Sequence, residues 1–131
     1  EIYSDPNNIF VAEFIGSPKM NIIKINNEHI SNSNTLHLFN NKITFDNLEF
    51  KDEIYIGIRP EDISIKNDRE IQVDVKIHHV ENLGFEKIIY SKVLENQIII
   101  KSSENINSNA LKVSFSKDKV LFFDKDKNRI R

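Results

Sequence analysis

Four histidines (His29, His37, His78 and His79) and the acidic pair Glu61-Asp62 are the side chains here that could do acid–base or metal chemistry. Their spacing argues against both uses. His78 and His79 are adjacent in a strand-like segment, so they point to opposite faces and cannot easily chelate one ion together. Glu61-Asp62 follows Pro60, and acids are favoured in the turn after a proline at the first helical position. We therefore read the pair as turn determinants. Pro60 holds Arg59 extended, and Glu61, Glu81 and Glu86 are candidate partners for its guanidinium, with contact to a ligand left open. With three glycines in all, the chain cannot build a G-x-x-x-x-G-K-[ST] phosphate loop, and it has no H-E-x-x-H helix or G-x-S-x-G elbow. Cysteine is absent, which removes disulfides and thiolate metal sites. The expectation is no catalytic residue, no metal and no cofactor in this chain.

The elements that must position these residues are strands. Apolar residues recur with period two at Ile22, Ile23 and Ile25, at Thr35 to Leu38, at Lys42 to Phe45, and at Ile54, Ile56 and Ile58. Ile71, Val73, Val75 and Ile77 alternate with polar residues and give the clearest half-buried strand. Alternation breaks at His78-His79-Val80, where a β-bulge would re-phase the strand. Glu86 to Val93, Gln97 to Lys101, Leu111 to Phe115 and Lys119 to Phe123 complete the set. Asn40-Asn41 is a candidate hairpin turn, Gly84 a tight connection that needs glycine's backbone, and Asp124 to Asn128 a charged turn. Ser102 to Asn109 reads as a polar loop. Gly57, inside a strand, marks a close approach of another backbone, at a subunit contact or at a barrel kink. Residues 1–21 differ: Asp5-Pro6-Asn7-Asn8 starts a helix, Phe10 and Phe14 share one face of it, and Gly16-Ser17-Pro18 stops it. The fold expected is all-β, an OB-like barrel or sandwich of about nine or ten short strands with one short N-terminal helix.

The chain has 131 residues and a net charge of −2, the size of one domain. Such a globule buries roughly two-thirds of its unfolded surface. Acids and bases are mixed along it, so no basic stripe exists for nucleic-acid backbones. No apolar run approaches the roughly 20 residues of a membrane span, and no signal peptide is visible. Opening at Glu1 without methionine, the chain reads as a fragment or a processed product.

Asn8-Ile9-Phe10-Val11-Ala12-Glu13-Phe14-Ile15-Gly16-Ser17-Pro18-Lys19-Met20-Asn21 resembles the N-x-F-V-A-x-F-I-G-S-P-x-M-N segment of carbohydrate-type ABC importer ATPases. That group serves maltose, multiple sugars and glycerol phosphate. Glu1 to Pro6 resembles the family's E-[IL]-Y-x-x-P junction. Ile56-Gly57-Ile58-Arg59-Pro60-Glu61-Asp62 resembles G-[IV]-R-P-E-[DH], and Val80-Glu81-Asn82-Leu83-Gly84-Phe85-Glu86 resembles V-E-x-L-G-x-E. Leu121-Phe122-Phe123-Asp124 resembles the closing H-L-F-D. The matches come in order over nearly the whole chain. Departures are Phe85, often polar in the family, and Lys92 to Asn109, which lacks the usual proline- and glycine-containing loop. Glu28 to Asp52 matches nothing specific.

The resemblance implies the C-terminal regulatory domain, the transport-associated OB (TOBE) domain, of such an ATP-binding subunit. Residues 1–21 would form the junction and short helix, and 22–131 the OB-like domain. It implies tethering of two ATPase subunits across a two-fold axis by a homodimer contact. ATP and magnesium would be bound by the parent subunit. Other implied partners are its own nucleotide-binding domain, permease subunits and, in some relatives, a cytosolic regulatory protein, at the cytoplasmic face of the membrane. The implied interface or regulatory residues are Phe14, Gly16, Ser17, Pro18, Met20, Asn21, Gly57, Arg59, Pro60, Glu61, Glu81, Leu83, Gly84 and Glu86. Turn and core roles alone are the competing reading of the same residues. The alternative function is an independent OB domain for a small ligand or oligonucleotide; an enzyme with an unrecognised site stands third.

Overall fold

A computed structural model describes residues 19–31, 34–45, 50 and 53–130. Among them run eleven strands: β1 Asn21–Ile25, β2 Ile30–Ser31, β3 Thr35–Leu38, β4 Asn41–Thr44, β5 Ile54–Ile58, β6 Ile71–Asn82, β7 Lys87–Val93, β8 Asn96–Ser102, β9 Ala110–Phe115, β10 Leu121–Phe123 and β11 Arg129–Ile130. Short 3-10 turns cover Asn27–His29, Pro60–Asp62 and Lys117–Lys119. The all-β expectation holds, and the extra strands are β2 and β11, too short to leave a periodic signal. The expected N-terminal helix lies outside the described residues.

All pairings are antiparallel and build three small sheets, in the orders β1-β5-β10-β11, β2-β3-β4 and β8-β7-β6-β9. Together they form an OB-like barrel-sandwich. Ile71, Val73, Val75 and Ile77 of β6 face one shared core with Ile23, Ile25, Ile54, Ile56, Ile58, Ile89 and Ile100. Each such side chain contributes roughly 1.5–3 kcal/mol by leaving water. Phe45 and Phe122 meet edge to face at 4.8 Å within it. The register of β6 against β7 shifts between Ile77 and His79, so His78 is the extra residue of the expected bulge.

Sheets are joined by side-chain amides as well as by apolar contact. Asn21 donates from Nδ2 to the carbonyls of Ile58 (3.2 Å) and Ile99 (2.8 Å), and its Oδ1 accepts from Ile99 N–H at 2.8 Å. An amide carries the same donor and acceptor as a peptide group, so Asn21 acts as a rung between β1 and β8. Asn41 Nδ2 likewise donates to the carbonyl of Gln72 at 2.8 Å, tying the β3–β4 hairpin to β6.

Two local expectations change. The β3–β4 turn is Phe39-Asn40, both at positive φ (49° and 69°), with Leu38 opposite Asn41. Asn41 is held in the strand by its bond to Gln72, which moves the turn one residue earlier than Asn40-Asn41. The Lys119 to Phe123 strand shortens to Leu121–Phe123 because Ser116 caps a 3-10 turn, its side chain accepting from Asp118 N–H.

Candidate functional site

Phe14, Gly16, Ser17 and Pro18, like Phe10, lie outside the described residues. The other sequence candidates fall into two groups, one at a buried seam and one at an exposed hairpin tip.

The seam begins where the chain enters β1. Met20 and Asn21 are both buried within the chain. Met20 lies on the outer face of the β1-β5-β10-β11 sheet, where Leu121 and Phe123 join it in a second small core, with Ile22 and Tyr55 packed against it. Gly57 is bare beneath it. A Cβ there would stand 2.6 Å from Met20 Sδ and 3.1 Å from Phe123 Cε2. The close approach read from Gly57 is real, but the approaching groups are side chains of this chain rather than another backbone.

Directly after β5, Arg59 is extended (φ −71°, ψ 141°) and Pro60 opens the turn Pro60–Asp62, as expected. Arg59 Nη1 pairs with Asp62 Oδ2 at 3.6 Å, and both side chains are mostly buried. Asp62 was absent from the expected partners Glu61, Glu81 and Glu86. In a 3-10 turn, residues three apart eclipse one another, which puts this carboxylate under the guanidinium. Pro60 is buried, and Glu61 is exposed on a groove lined also by Asp62, Arg69, Lys101, Ser102 and Ser116.

Ser114 and Ser64 hold the far wall of that groove. Ser114 is fully buried, accepts from Asp68 N–H and Arg69 N–H, and donates to the carbonyl of Lys66. A hydrogen bond from Ser64 is the main cause that holds the Asp68 carboxyl below its usual range. Beside the groove Lys66 Nζ meets Glu104 Oε1 at 2.8 Å, and that bond raises the Lys66 pKa. These contacts fix the 64–69 segment against β9 through Ser114.

At the second group, β6 and β7 are joined by Leu83 to Glu86. Leu83 N–H donates to the carbonyl of Glu86 at 2.9 Å, and Gly84 N–H donates to Asn82 Oδ1 at 3.0 Å. Gly84 sits at φ 95° with open space where a Cβ would be, so backbone conformation alone demands glycine. Glu81 is exposed. Leu83 and Phe85 are 49% and 83% exposed, unusual for large apolar side chains. Glu86 Oε2 pairs with Lys101 Nζ at 3.6 Å. Lys101 lies on β8, the strand that also receives Asn21 and lines the groove beside Glu61. The two groups thus share β8 as a common support but do not form one pocket.

The histidines are dispersed. His37 Nε2 and Ser31 Oγ are 2.9 Å apart, and His79 lies against Tyr90 with ring centroids at 5.5 Å. Among the described residues no three metal-ligating side chains gather. No helix among them is long and apolar enough to cross a membrane. Sequence reasoning missed Asn41, Lys101 and Ser114. Asn41 stood in a turn dipeptide, and the other two act through residues 15 or more positions away, with no local signal to find them.

No protein-family model matches the chain. Individual curated proteins do. A maltose/maltodextrin import ATP-binding protein of Aliivibrio fischeri is 36% identical over 96 residues, covering 69% of this chain and 26% of its own length. An sn-glycerol-3-phosphate import ATP-binding protein of Psychromonas ingrahamii is 33% identical, covering 81% of this chain and 27% of its own length. An oligosaccharides import ATP-binding protein of Bacillus subtilis is 30% identical, covering 96% and 38%. The chain therefore spans well under half the length of these relatives.

Proposed function

We propose, from the premise that this chain belongs to the family of ATP-binding subunits of carbohydrate-type ABC importers, that it is the regulatory and dimerisation domain of such a subunit and performs no catalysis itself. Residues 1–21 are the junction from a nucleotide-binding domain and 22–131 the regulatory domain. ATP and magnesium belong to that nucleotide-binding domain. The domain works at the cytoplasmic face of the membrane, where the parent subunit contacts permease subunits that carry a sugar-type solute. A cytosolic regulatory protein is a further partner for its exposed surface.

The observation that carries this reading is the anchoring of the entry segment. Met20 is packed over Gly57, and Asn21 makes three hydrogen bonds, two of them to a residue 78 positions away. The chain is thereby tied to the barrel interior at the residues where the regulatory domain begins. A second copy of the barrel, bound to the first, then raises the effective concentration of one ATPase half for the other. The test is sedimentation equilibrium of the 131-residue chain over a wide concentration series. A reversible monomer–dimer equilibrium is expected; a strict monomer at the highest concentration removes the dimerising role.

A further inference from the structure

We infer, resting on the self-association proposed above, that two copies of this chain meet edge to edge along β6, antiparallel and centred on Val80. The β6 strand outruns its neighbour. Its pairing with β9 ends at Lys76 opposite Ala110, whereas its pairing with β7 continues to Asn82 opposite Lys87. On the β9 side the last backbone tie is Ile77 N–H to the carbonyl of Asn109, 2.6 Å. Among the described residues no strand pairs with 79–82 on that side. An edge of this kind is a template for a further strand. A groove opens next to it, walled by Ile77, Val80 and Lys87 and by the loop that carries Ile106.

Hydrogen-bond complementarity, an imidazole donor facing a carboxylate acceptor, identifies the occupant as a second copy. Antiparallel pairing about Val80 places His79 opposite the partner's Glu81, and Glu81 opposite the partner's His79. The sequence is thus complementary to itself, as an isologous contact requires. His79 and Glu81 are both exposed, and neither is in an ion pair among the described residues. His79 is steadied by Tyr90. The same register carries the exposed tip residues Leu83 and Phe85 toward the groove beside the partner's Ile77. Each copy then covers the other's apolar tip, and every contact occurs twice.

The experiment is sedimentation equilibrium on the full chain and on His79→Glu, Glu81→Arg and the double variant, with circular dichroism confirming that each is folded. His79→Glu sets two carboxylates against each other at both ends of the pairing and is expected to weaken self-association roughly tenfold. The double variant sets opposite charges against each other at both ends and recovers most of that loss. Amide exchange of the unmodified chain gives a second readout: Val80 and Glu81 gain protection as concentration rises. A dimer indifferent to the single changes, with no concentration-dependent protection at Val80, overturns this pairing but leaves dimerisation standing and hands the edge to another protein. A chain that is monomeric throughout overturns both.

Discussion

Two glycines from two family-like motifs do opposite jobs, and the contrast separates the two halves of the molecule. Gly57 is required for what surrounds it: Met20 Sδ and the ring of fully buried Phe123 occupy the space a side chain would take. Gly84 is required for its own backbone, with nothing within 4 Å of its missing Cβ. Around Gly57 the motif residues other than exposed Glu61 are absorbed into packing and the Arg59–Asp62 ion pair. Around Gly84 they stand in solvent, with Leu83 and Phe85 exposed. The seam spends its residues on holding the barrel together, whereas the tip keeps side chains that the fold itself does not use. A partner surface is therefore better sought at the tip.

The largest effect should come at the seam. Asn21→Ala removes three hydrogen bonds and strands the N–H and carbonyl of Ile99 in partly buried surroundings. We expect a loss of about 2–4 kcal/mol in urea unfolding, since buried groups left without partners carry their full desolvation penalty. A loss below about 1 kcal/mol would mean that water replaces the amide and that the seam is not a seam. Gly57→Ala comes next. Met20 can swing its thioether aside, but Phe123 has no room, so overpacking should cost about 1–3 kcal/mol. Pairing it with Met20→Ala in a double-mutant cycle should show partial coupling between the two sites, because the closest contact, 2.6 Å to Sδ, goes with the thioether while the 3.1 Å contact with Phe123 stays.

How much of this was legible depends on the distance over which each residue acts. The β6 strand and its bulge could be read because alternation and its break at His78 are local. The turn at Phe39-Asn40 was displaced by one residue because Asn41 is claimed by Gln72, 31 positions on. The Arg59–Asp62 pair was open to reading once Pro60 had signalled a 3-10 turn, since its members are three residues apart. The role of Asn21 was beyond reach: the family-like motif flagged the residue, but only the fold brings Ile99 to it. The apolar exposure of Leu83 and Phe85 was equally hidden, because a strand-to-strand connection gives no sign of whether a neighbouring element covers it.

At the tip, effects on stability should be small and effects on association larger. Gly84→Ala forces a residue with a Cβ to φ 95°, at about 1–2 kcal/mol. There is no crowding to add, so the loss should fall below that of Asn21→Ala, and no second substitution nearby should rescue it. Rescue of Gly84→Ala by trimming Phe85 would break the contrast with Gly57, because it would reveal a spatial conflict where the structure has open space.

The smallest effect expected is that of the Glu86–Lys101 pair, which links the tip to the strand bearing the seam. Its separation is 3.6 Å and its side chains are 27% and 30% exposed. A partly screened pair at that distance is worth about 1 kcal/mol or less, and less as salt rises. Glu86→Gln should therefore lower stability by no more than about 1 kcal/mol at low salt, a difference that shrinks when unfolding is repeated at high salt. The hydrogen bond from Leu83 N–H goes to the backbone carbonyl of residue 86, so the turn itself is untouched by this change. If Glu86→Gln instead destabilised the chain as strongly as Asn21→Ala, the tip would be part of the barrel's support, and the distinction between a load-carrying seam and a free partner surface would fail.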